Sequence, residues 1–170
     1  MQITPHQAKY FAYELTKQSP SNTVDKFAST LANVQATVDL NPHQIDAALF
    51  AFRSPLSKGA ILADEVGLGK TIEAGILISQ KWAERKRKIL IIAPATLRKQ
   101  WSQELADKFF INTINIKKKS FDQQIKNKNL NPFEQKDNVV ICSYQFVRYK
   151  DAYVSQVPWD LVIIDEAERL

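Results

Sequence analysis

The fold of this chain is decided by the stretch Asp64-Glu65-Val66-Gly67-Leu68-Gly69-Lys70-Thr71. An apolar run, Ala60–Ala63, precedes it, and a helical pattern, Thr71–Trp82, follows it. Glycines let backbone N–H groups turn towards an anion, and the start of a helix adds partial positive charge behind them. The order strand, loop, helix therefore predicts a phosphate-binding loop for a nucleoside triphosphate. Its predicted contacts are Glu65, Val66, Gly67, Leu68, Gly69, Lys70 and Thr71.

Two side chains of this loop carry the predicted chemistry. The Lys70 ammonium suits the β- and γ-phosphates and assists catalysis, while the Thr71 hydroxyl suits Mg²⁺. The strict pattern G-x-x-x-x-G-K-[ST] is not met, because Asp64 stands at its first position. The plain alternative is a glycine-rich turn between a strand and a helix, followed by an ordinary lysine. The order of the elements favours the nucleotide site.

A pair of carboxylates is the second chemical signal. Asp165 and Glu166 directly follow the apolar run Leu161–Ile164. Acids at the end of a buried strand are costly unless they bind something positive. In phosphoryl transfer the Asp holds Mg²⁺, and the Glu orients and deprotonates the attacking water. A strand that ends in solvated acids is the alternative, and the presence of Lys70 in the same chain weakens it.

Short apolar runs and helical patterns alternate from residue 59 onwards. Apolar strands that alternate with helices predict an α/β fold with a parallel sheet and helices on both faces. Residues 117–138 are predicted to form a polar loop or a short helix. The predicted strands are Ala60–Ala63, Ile89–Ala93, Thr113–Ile116, Val139–Cys142 and Leu161–Ile164, and the predicted helices are Thr71–Trp82 and Leu97–Phe109.

Three amphipathic helices are predicted upstream of the sheet. The first follows Thr4, the second follows Asn22, and the third begins at Asn41-Pro42. Asn and Thr are good helix caps, and Pro suits the first helical position. We therefore expect a helical N-terminal extension over residues 1–39.

Composition excludes several classes of protein. The 170 residues are 45% hydrophobic and 24% charged, which is typical of a globular domain. A net charge of +5 is compatible with a polyanionic partner. The single Cys142 excludes an internal disulfide framework and a four-cysteine zinc site. With no secretory signal and no membrane-length apolar run, we expect a cytoplasmic protein without a membrane partner, nucleoid-associated if bacterial.

Five ordered stretches resemble one family. The phosphate loop, continued through Ile72–Gly75, resembles motif I of the Swi/Snf-type helicase-related ATPases, relatives of the DEAD/DEAH-box helicases of superfamily two. It is especially similar to the bacterial branch that includes the RNA-polymerase-recycling ATPase. The other stretches are Asn41–Gln44 (motif Q), Ile92–Leu97 with Gln100-Trp101 (motif Ia), Ile141–Tyr144 (motif Ib) and Val162–Ala167 (motif II).

The resemblance implies a RecA-like P-loop lobe that couples hydrolysis of ATP, with Mg²⁺, to movement along double-stranded DNA. It implies that Gln44 hydrogen-bonds the adenine, since an amide can donate and accept together. A capping role for Gln44 beside Asn41 is the alternative. Trp101, at helical spacing, is expected in the core. The implied nucleic-acid contacts are Pro94, Thr96, Leu97, Ser143 and Tyr144, against a plain helix-capping role for Thr96.

The chain departs from the family pattern in two ways. Glu168 stands where the family has a His that connects the ATP state to a neighbouring motif. Motif III and the second lobe, with its arginine finger, are not among the 170 residues. The resemblance therefore implies a partial ATP-binding lobe over residues 40–170. We expect its sheet to have an unfilled central slot or exposed edges, with self-association through strand pairing. We also expect a fragment that binds ATP–Mg²⁺ but hydrolyses it poorly.

The sequence is compatible with three functions. The leading one is the N-terminal part of a double-stranded-DNA translocase. The second is the lobe of an RNA helicase, because this chemistry does not read the sugar. The third is a non-catalytic module that binds nucleotide or docks on RNA polymerase or another protein complex. The presence of Lys70, Thr71, Asp165 and Glu166 together argues against the third, since a scaffold does not need all four.

Overall fold

The computed structural model describes residues 34, 38, 40–53, 59–62 and 69–167. The chain divides into two compact units, Met1–Leu77 and Ile78–Leu170. Apart from Val34, the first two predicted helices lie outside the described residues. The same is true of residues 63–68, which include most of the predicted phosphate loop, and of Glu168.

The first unit contains helix α1, Pro42–Arg53, and the start of helix α2, Lys70–Ala83. Helix α1 begins where the Asn-Pro pair predicts, since the Asn41 carbonyl accepts hydrogen bonds from the N–H groups of Gln44 and Ile45 at 3.0 and 3.4 Å. Ala48 is buried on its inner face. The prediction for α2 is confirmed to within one residue at each end.

The predicted strand Ala60–Ala63 is wrong for the residues that the structure describes. Residues 60–62 are irregular, and the Ile61 side chain is 89% exposed. A strand exists only where a neighbouring strand supplies hydrogen bonds, and a four-residue apolar run does not provide that partner by itself. Ala63 lies outside the described residues.

The second unit is built on a four-stranded parallel sheet. Its strands are β1 Ile89–Ile92, β2 Thr113–Asn115, β3 Val139–Cys142 and β4 Leu161–Ile164. Their order is β2-β3-β1-β4, and β1 pairs in register with β3 on one side and β4 on the other. These four strand predictions are confirmed to within a residue, because runs of β-branched and other apolar residues suit the strands of a parallel sheet. Strands β1 and β3 are buried almost throughout, whereas β2 and β4 are partly exposed.

Helices cover both faces of this sheet. Helix α3, Arg98–Phe109, packs against β2 and β3 and buries Trp101, Leu105 and Phe109. By strand alternation, Leu90 and Val140 point to the other face. There they join a core with side chains from helices α4 (Lys118–Lys126), α5 (Tyr144–Tyr149) and α6 (Asp151–Val154). The sequence does not predict helices α5 and α6. Helix α4 shows that the short helix, one of the two alternatives for residues 117–138, is the correct one.

Strand β4 forms one edge of the sheet among the described residues. The Val162 and Ile164 side chains are each 43% exposed there. Among the described residues the sheet therefore has an exposed edge, one of the two predicted alternatives, and an apolar edge is a liability for pairing between chains. Self-association of residues 1–170 stays a prediction. Within the described ranges, no helix is long and apolar enough to cross a membrane.

Candidate nucleotide-binding site

The described end of the phosphate loop turns sharply into helix α2. Gly69 has φ of +94°, in the left-handed region that favours glycine. Its carbonyl accepts hydrogen bonds from the N–H groups of Ile72 at 2.7 Å and Glu73 at 3.2 Å. Lys70 and Thr71 therefore lie in the first turn of a 14-residue helix, where the helix dipole favours an anion. The predicted contacts Glu65, Val66, Gly67 and Leu68 lie outside the described residues.

Gln44 packs against this glycine within the first unit. The Gln44 side chain is 5% exposed, and its Oε1 accepts a hydrogen bond from the Asn41 N–H at 3.2 Å. Its Nε2 faces the Cα of Gly69 so closely that a Cβ there would clash with it. The capping alternative for Gln44 is therefore present in the fold. The adenine contact stays a prediction.

Replacing Gly69 with alanine is expected to destabilise the protein by about 1–3 kcal/mol, because the new Cβ meets Gln44 and the left-handed backbone strains any L side chain. We expect nucleotide binding to weaken in parallel. Gly59→Ala is the matched control, since none of the residues that the structure describes lies within 4 Å of a Cβ at Gly59. Urea unfolding and nucleotide titration measure both effects, and equal stability of the two variants would contradict this account.

Asp165 is held at three of its atoms within the second unit. Its N–H donates to the Ile92 carbonyl at 2.9 Å, which extends the pairing of β1 and β4 by one residue. Its carbonyl accepts a hydrogen bond from the Tyr144 hydroxyl. Its carboxylate Oδ2 accepts a hydrogen bond from the Trp101 Nε1 at 2.8 Å. The predicted metal ligand is thus fixed by side chains from the stretches that resemble motifs Ia and Ib.

Glu166 has an unusual backbone for its position. Its φ is +52°, in the left-handed region, and its side chain is half-buried. The other described non-glycine residues with positive φ are Arg85, Phe110 and Lys128, and each of these follows the end of a helix. A left-handed residue costs roughly 1–2 kcal/mol and is common after helices. Glu166 follows a strand instead, and backbone strain of this kind is concentrated at functional sites.

The predicted nucleic-acid contacts lie at the carboxyl ends of β1 and β3. The Ser143 Oγ caps α5 by accepting a hydrogen bond from the Phe146 N–H at 3.3 Å. Leu97, rather than Thr96, occupies the cap position of α3, so the plain capping role for Thr96 is wrong. Thr96 is exposed and Pro94 is half-buried. Contacts of Pro94, Thr96, Leu97, Ser143 and Tyr144 with nucleic acid stay predictions.

Cys142 takes no part in this chemistry. It lies in β3 with its side chain fully buried, and burial raises the pKa of its thiol to about 12. The positive charge of Arg98 and a backbone hydrogen bond from Ile116 act in the opposite direction and are outweighed. A protonated, enclosed thiol is neither a nucleophile nor a metal ligand at neutral pH.

The donor set suits Mg²⁺ carried by a nucleotide. No cluster of three or more His, Cys, Asp or Glu side chains that could hold a metal is found in the described part of the chain. Mg²⁺ is usually bound by one or two protein oxygens together with phosphate oxygens and water, rather than by an all-protein cage. The Thr71 hydroxyl in the first unit and the Asp165 carboxylate in the second are each, taken separately, donors of that kind.

The prediction for Trp101 was incomplete. Trp101 is in the core as expected, at 4% exposure, but its indole N–H donates to the predicted metal ligand. The available signal was chemical, because a buried indole N–H needs a hydrogen-bond acceptor. Its acceptor could not be identified from the sequence, since Asp165 lies 64 residues away.

Comparison with known proteins identifies the family of this chain. The family model for the SNF2-related domain matches residues 7–170. RNA polymerase-associated protein RapA of Yersinia enterocolitica is 38% identical over 150 residues, which cover 84% of this chain and 15% of the relative. RapA of Proteus mirabilis is 34% identical over 173 residues, covering 97% of this chain and 16% of the relative.

A solved structure gives the same result for the fold. The Sulfolobus solfataricus SWI2/SNF2 ATPase core in complex with dsDNA is similar with a TM-score of 0.64 and 25% identity. The match covers 78% of this chain and 27% of that chain. The RecA-like interpretation of the parallel sheet is thereby confirmed. This chain spans about 15% of the length of the curated relatives that it matches.

Proposed function

The chain belongs to the family of SNF2-related domains, and from that premise we propose that it forms the ATP-binding part of a motor that hydrolyses ATP on double-stranded DNA. The observation that carries this proposal is the left-handed Gly69 at the start of α2, which brings Lys70 and Thr71 into the first turn of a long helix. The Asp165–Glu166 pair at the end of β4 supports it.

On the phosphate side, we propose that the Lys70 ammonium binds the β- and γ-phosphates as a point charge. The N–H groups at the start of α2 add partial positive charge, and the Thr71 hydroxyl is a ligand for Mg²⁺. Mg²⁺, when bound, neutralises charge that develops on the transferred phosphoryl group. Gln44, already seated against Gly69, is proposed to contact the adenine with the donor and acceptor atoms of its amide.

On the carboxylate side, we propose that Asp165 holds Mg²⁺ through water and that Glu166 orients and deprotonates the attacking water. Asp165 suits this role because its backbone and one carboxylate oxygen are already fixed. Glu166 suits its role because a half-buried carboxylate on a strained backbone has few other positions to adopt.

For the nucleic acid, we propose that the carboxyl edge of the sheet contacts DNA phosphates. Pro94–Leu97 and Ser143-Tyr144 lie at this edge because parallel strands end on the same side. Arg98 and Lys99 in the first turn of α3 add positive charge beside the first of these stretches. The dsDNA in the similar Sulfolobus structure supports duplex DNA over RNA.

The names of the relatives indicate a protein partner. We propose RNA polymerase as a protein partner, because the relatives RapA are named as RNA polymerase-associated.

We also propose that residues 1–170 alone bind ATP–Mg²⁺ but hydrolyse it slowly. In the family that the motifs resemble, an arginine from a second lobe stabilises the transition state, and such a residue is worth roughly 10³-fold or more in rate.

The test is ATP hydrolysis by the full-length polypeptide with duplex DNA, duplex RNA or no nucleic acid. We expect duplex DNA to raise the rate by at least about 10-fold at low salt and to lose this effect as salt rises, because phosphate contacts release counterions. Stronger stimulation by RNA would favour a helicase acting on RNA. Binding of ATP without hydrolysis under all three conditions would favour a non-catalytic module.

A further inference from the structure

We propose that Trp101 is a positioning residue that fixes the orientation of the Asp165 carboxylate for Mg²⁺. This inference rests on the proposed function, because it takes Asp165 as a ligand of nucleotide-bound Mg²⁺. It adds a residue that acts through another side chain and does not itself touch metal or nucleotide.

The contact is short, and its donor is a buried side chain. Trp101 Nε1 lies 2.8 Å from Asp165 Oδ2, and the Trp101 side chain is 4% exposed. A hydrogen bond to an ionised acceptor is roughly twice as strong as one between neutral groups. Trp101 also lies within the first turn of α3, where its N–H donates to the Leu97 carbonyl at 2.9 Å. The bond therefore connects the start of α3 with the end of β4.

The acceptor distinguishes Trp101 from an ordinary core tryptophan. Trp159, in the same unit, donates its indole N–H to the Val154 carbonyl at 2.9 Å. A backbone carbonyl is enough to satisfy a buried indole. Trp101 instead donates to the side chain that we assign to the metal. A core position alone requires some acceptor, but it does not require this carboxylate.

The bond supplies a constraint that the backbone cannot. The Ile92 carbonyl and the Tyr144 hydroxyl hold the main chain of Asp165 and leave its carboxylate to rotate. Rotation about the terminal bond of an Asp side chain is broad and roughly two-fold. In the part of the chain that the structure describes, Trp101 is the one hydrogen-bond donor to that carboxylate. With Oδ2 fixed, Oδ1 is the oxygen that remains for Mg²⁺ or its water.

Partners that orient a metal ligand commonly contribute about 10- to 100-fold in metal affinity. We therefore expect Trp101→Phe to raise the half-saturating Mg²⁺ concentration by about 10-fold. The readout is Mg²⁺-dependent binding of a fluorescent ATP analogue to the full-length polypeptide. Affinity for the same analogue in EDTA is expected to stay within about twofold, because phosphate contacts do not involve this bond.

Two further variants separate positioning from packing. Trp159→Phe removes an indole N–H from a backbone carbonyl in the same unit and is expected to leave the Mg²⁺ requirement unchanged. Benzothienylalanine at position 101 keeps the two-ring shape but replaces the N–H with sulfur. It is expected to reproduce the shift of Trp101→Phe without the cavity, so the test stands even if Trp101→Phe does not fold.

The wild-type protein distinguishes failure of the proposed function from failure of the role proposed for Trp101. If it binds the analogue independently of Mg²⁺, or not at all, the proposed function fails. If its binding depends on Mg²⁺ and the benzothienylalanine protein needs the same Mg²⁺ concentration, the role of Trp101 is overturned while the proposed function stands. A shift in that protein and none in Trp159→Phe supports the inference.

Discussion

Replacing Lys70 with alanine is expected to weaken the binding of ATP–Mg²⁺ by about 100-fold, because truncation of one partner of a charge pair costs about 2–5 kcal/mol. Lys70 is the first residue of α2 and follows the left-handed Gly69, so it belongs to the turn whose N–H groups start the helix. Titration of residues 1–170 with a fluorescent ATP analogue, with and without Mg²⁺, measures the loss.

Lys81→Ala is the matched control for this experiment. Lys81 lies in the last turn of the same helix, where its Nζ is 3.6 Å from the Glu84 Oε2. The two side chains of this pair are 22% and 18% exposed, and the pair lies at the other end of the helix from Lys70, so the control variant is expected to bind like the wild type. If both variants bind like the wild type while the protein is folded by circular dichroism, Lys70 does not hold the phosphates.

Much of the fold could be predicted because its strongest signals are local. Val139–Cys142 and Leu161–Ile164 form strands with the predicted bounds, since short apolar runs between turn residues suit the strands of a parallel sheet. Helix α3 follows from apolar residues that repeat every four positions. Asp165 and Glu166 directly follow the second of these apolar runs, so they are predicted at a strand end, which is where they lie.

The remaining features depend on contacts between residues distant in sequence. The run at Ala60–Ala63 has strand composition, yet residues 60–62 form no strand because pairing is decided by a neighbour. Two further features depend on tertiary contacts in the same way. They are the acceptor of the Trp101 indole N–H and the packing of Gln44 against Gly69. Helices α5 and α6 have only 6 and 4 residues, too short for a periodic pattern to identify.

Replacing Glu166 with glutamine is expected to lower kcat for DNA-stimulated ATP hydrolysis by about 10³-fold, because positioned general bases contribute about 10²- to 10⁴-fold. Glutamine keeps the size and shape of the side chain and the left-handed backbone at φ of +52°, so the change isolates the carboxylate. We expect KM for ATP and the Mg²⁺ requirement to stay within a few-fold, since Asp165 and Lys70 are intact. Steady-state hydrolysis by the full-length polypeptide gives both constants.

Glu134→Gln is the control for loss of a carboxylate, because Glu134 is exposed and pairs only at the surface, with the Lys88 Nζ at 3.1 Å. It is expected to leave kcat unchanged. An equal fall in kcat in both variants would contradict the role of Glu166 as the general base.

Glu166→Gly tests why the backbone is strained there. Release of about 1 kcal/mol of left-handed strain offsets about 1 kcal/mol of added chain entropy, so the free energy of unfolding is expected not to fall. Hydrolysis is expected to fall as it does in Glu166→Gln. Unchanged stability of Glu166→Gly means that the fold does not require a side chain on this strained backbone, which supports placement of the carboxylate as the reason for the strain. A fall in stability would mean that contacts of the Glu166 side chain stabilise the fold.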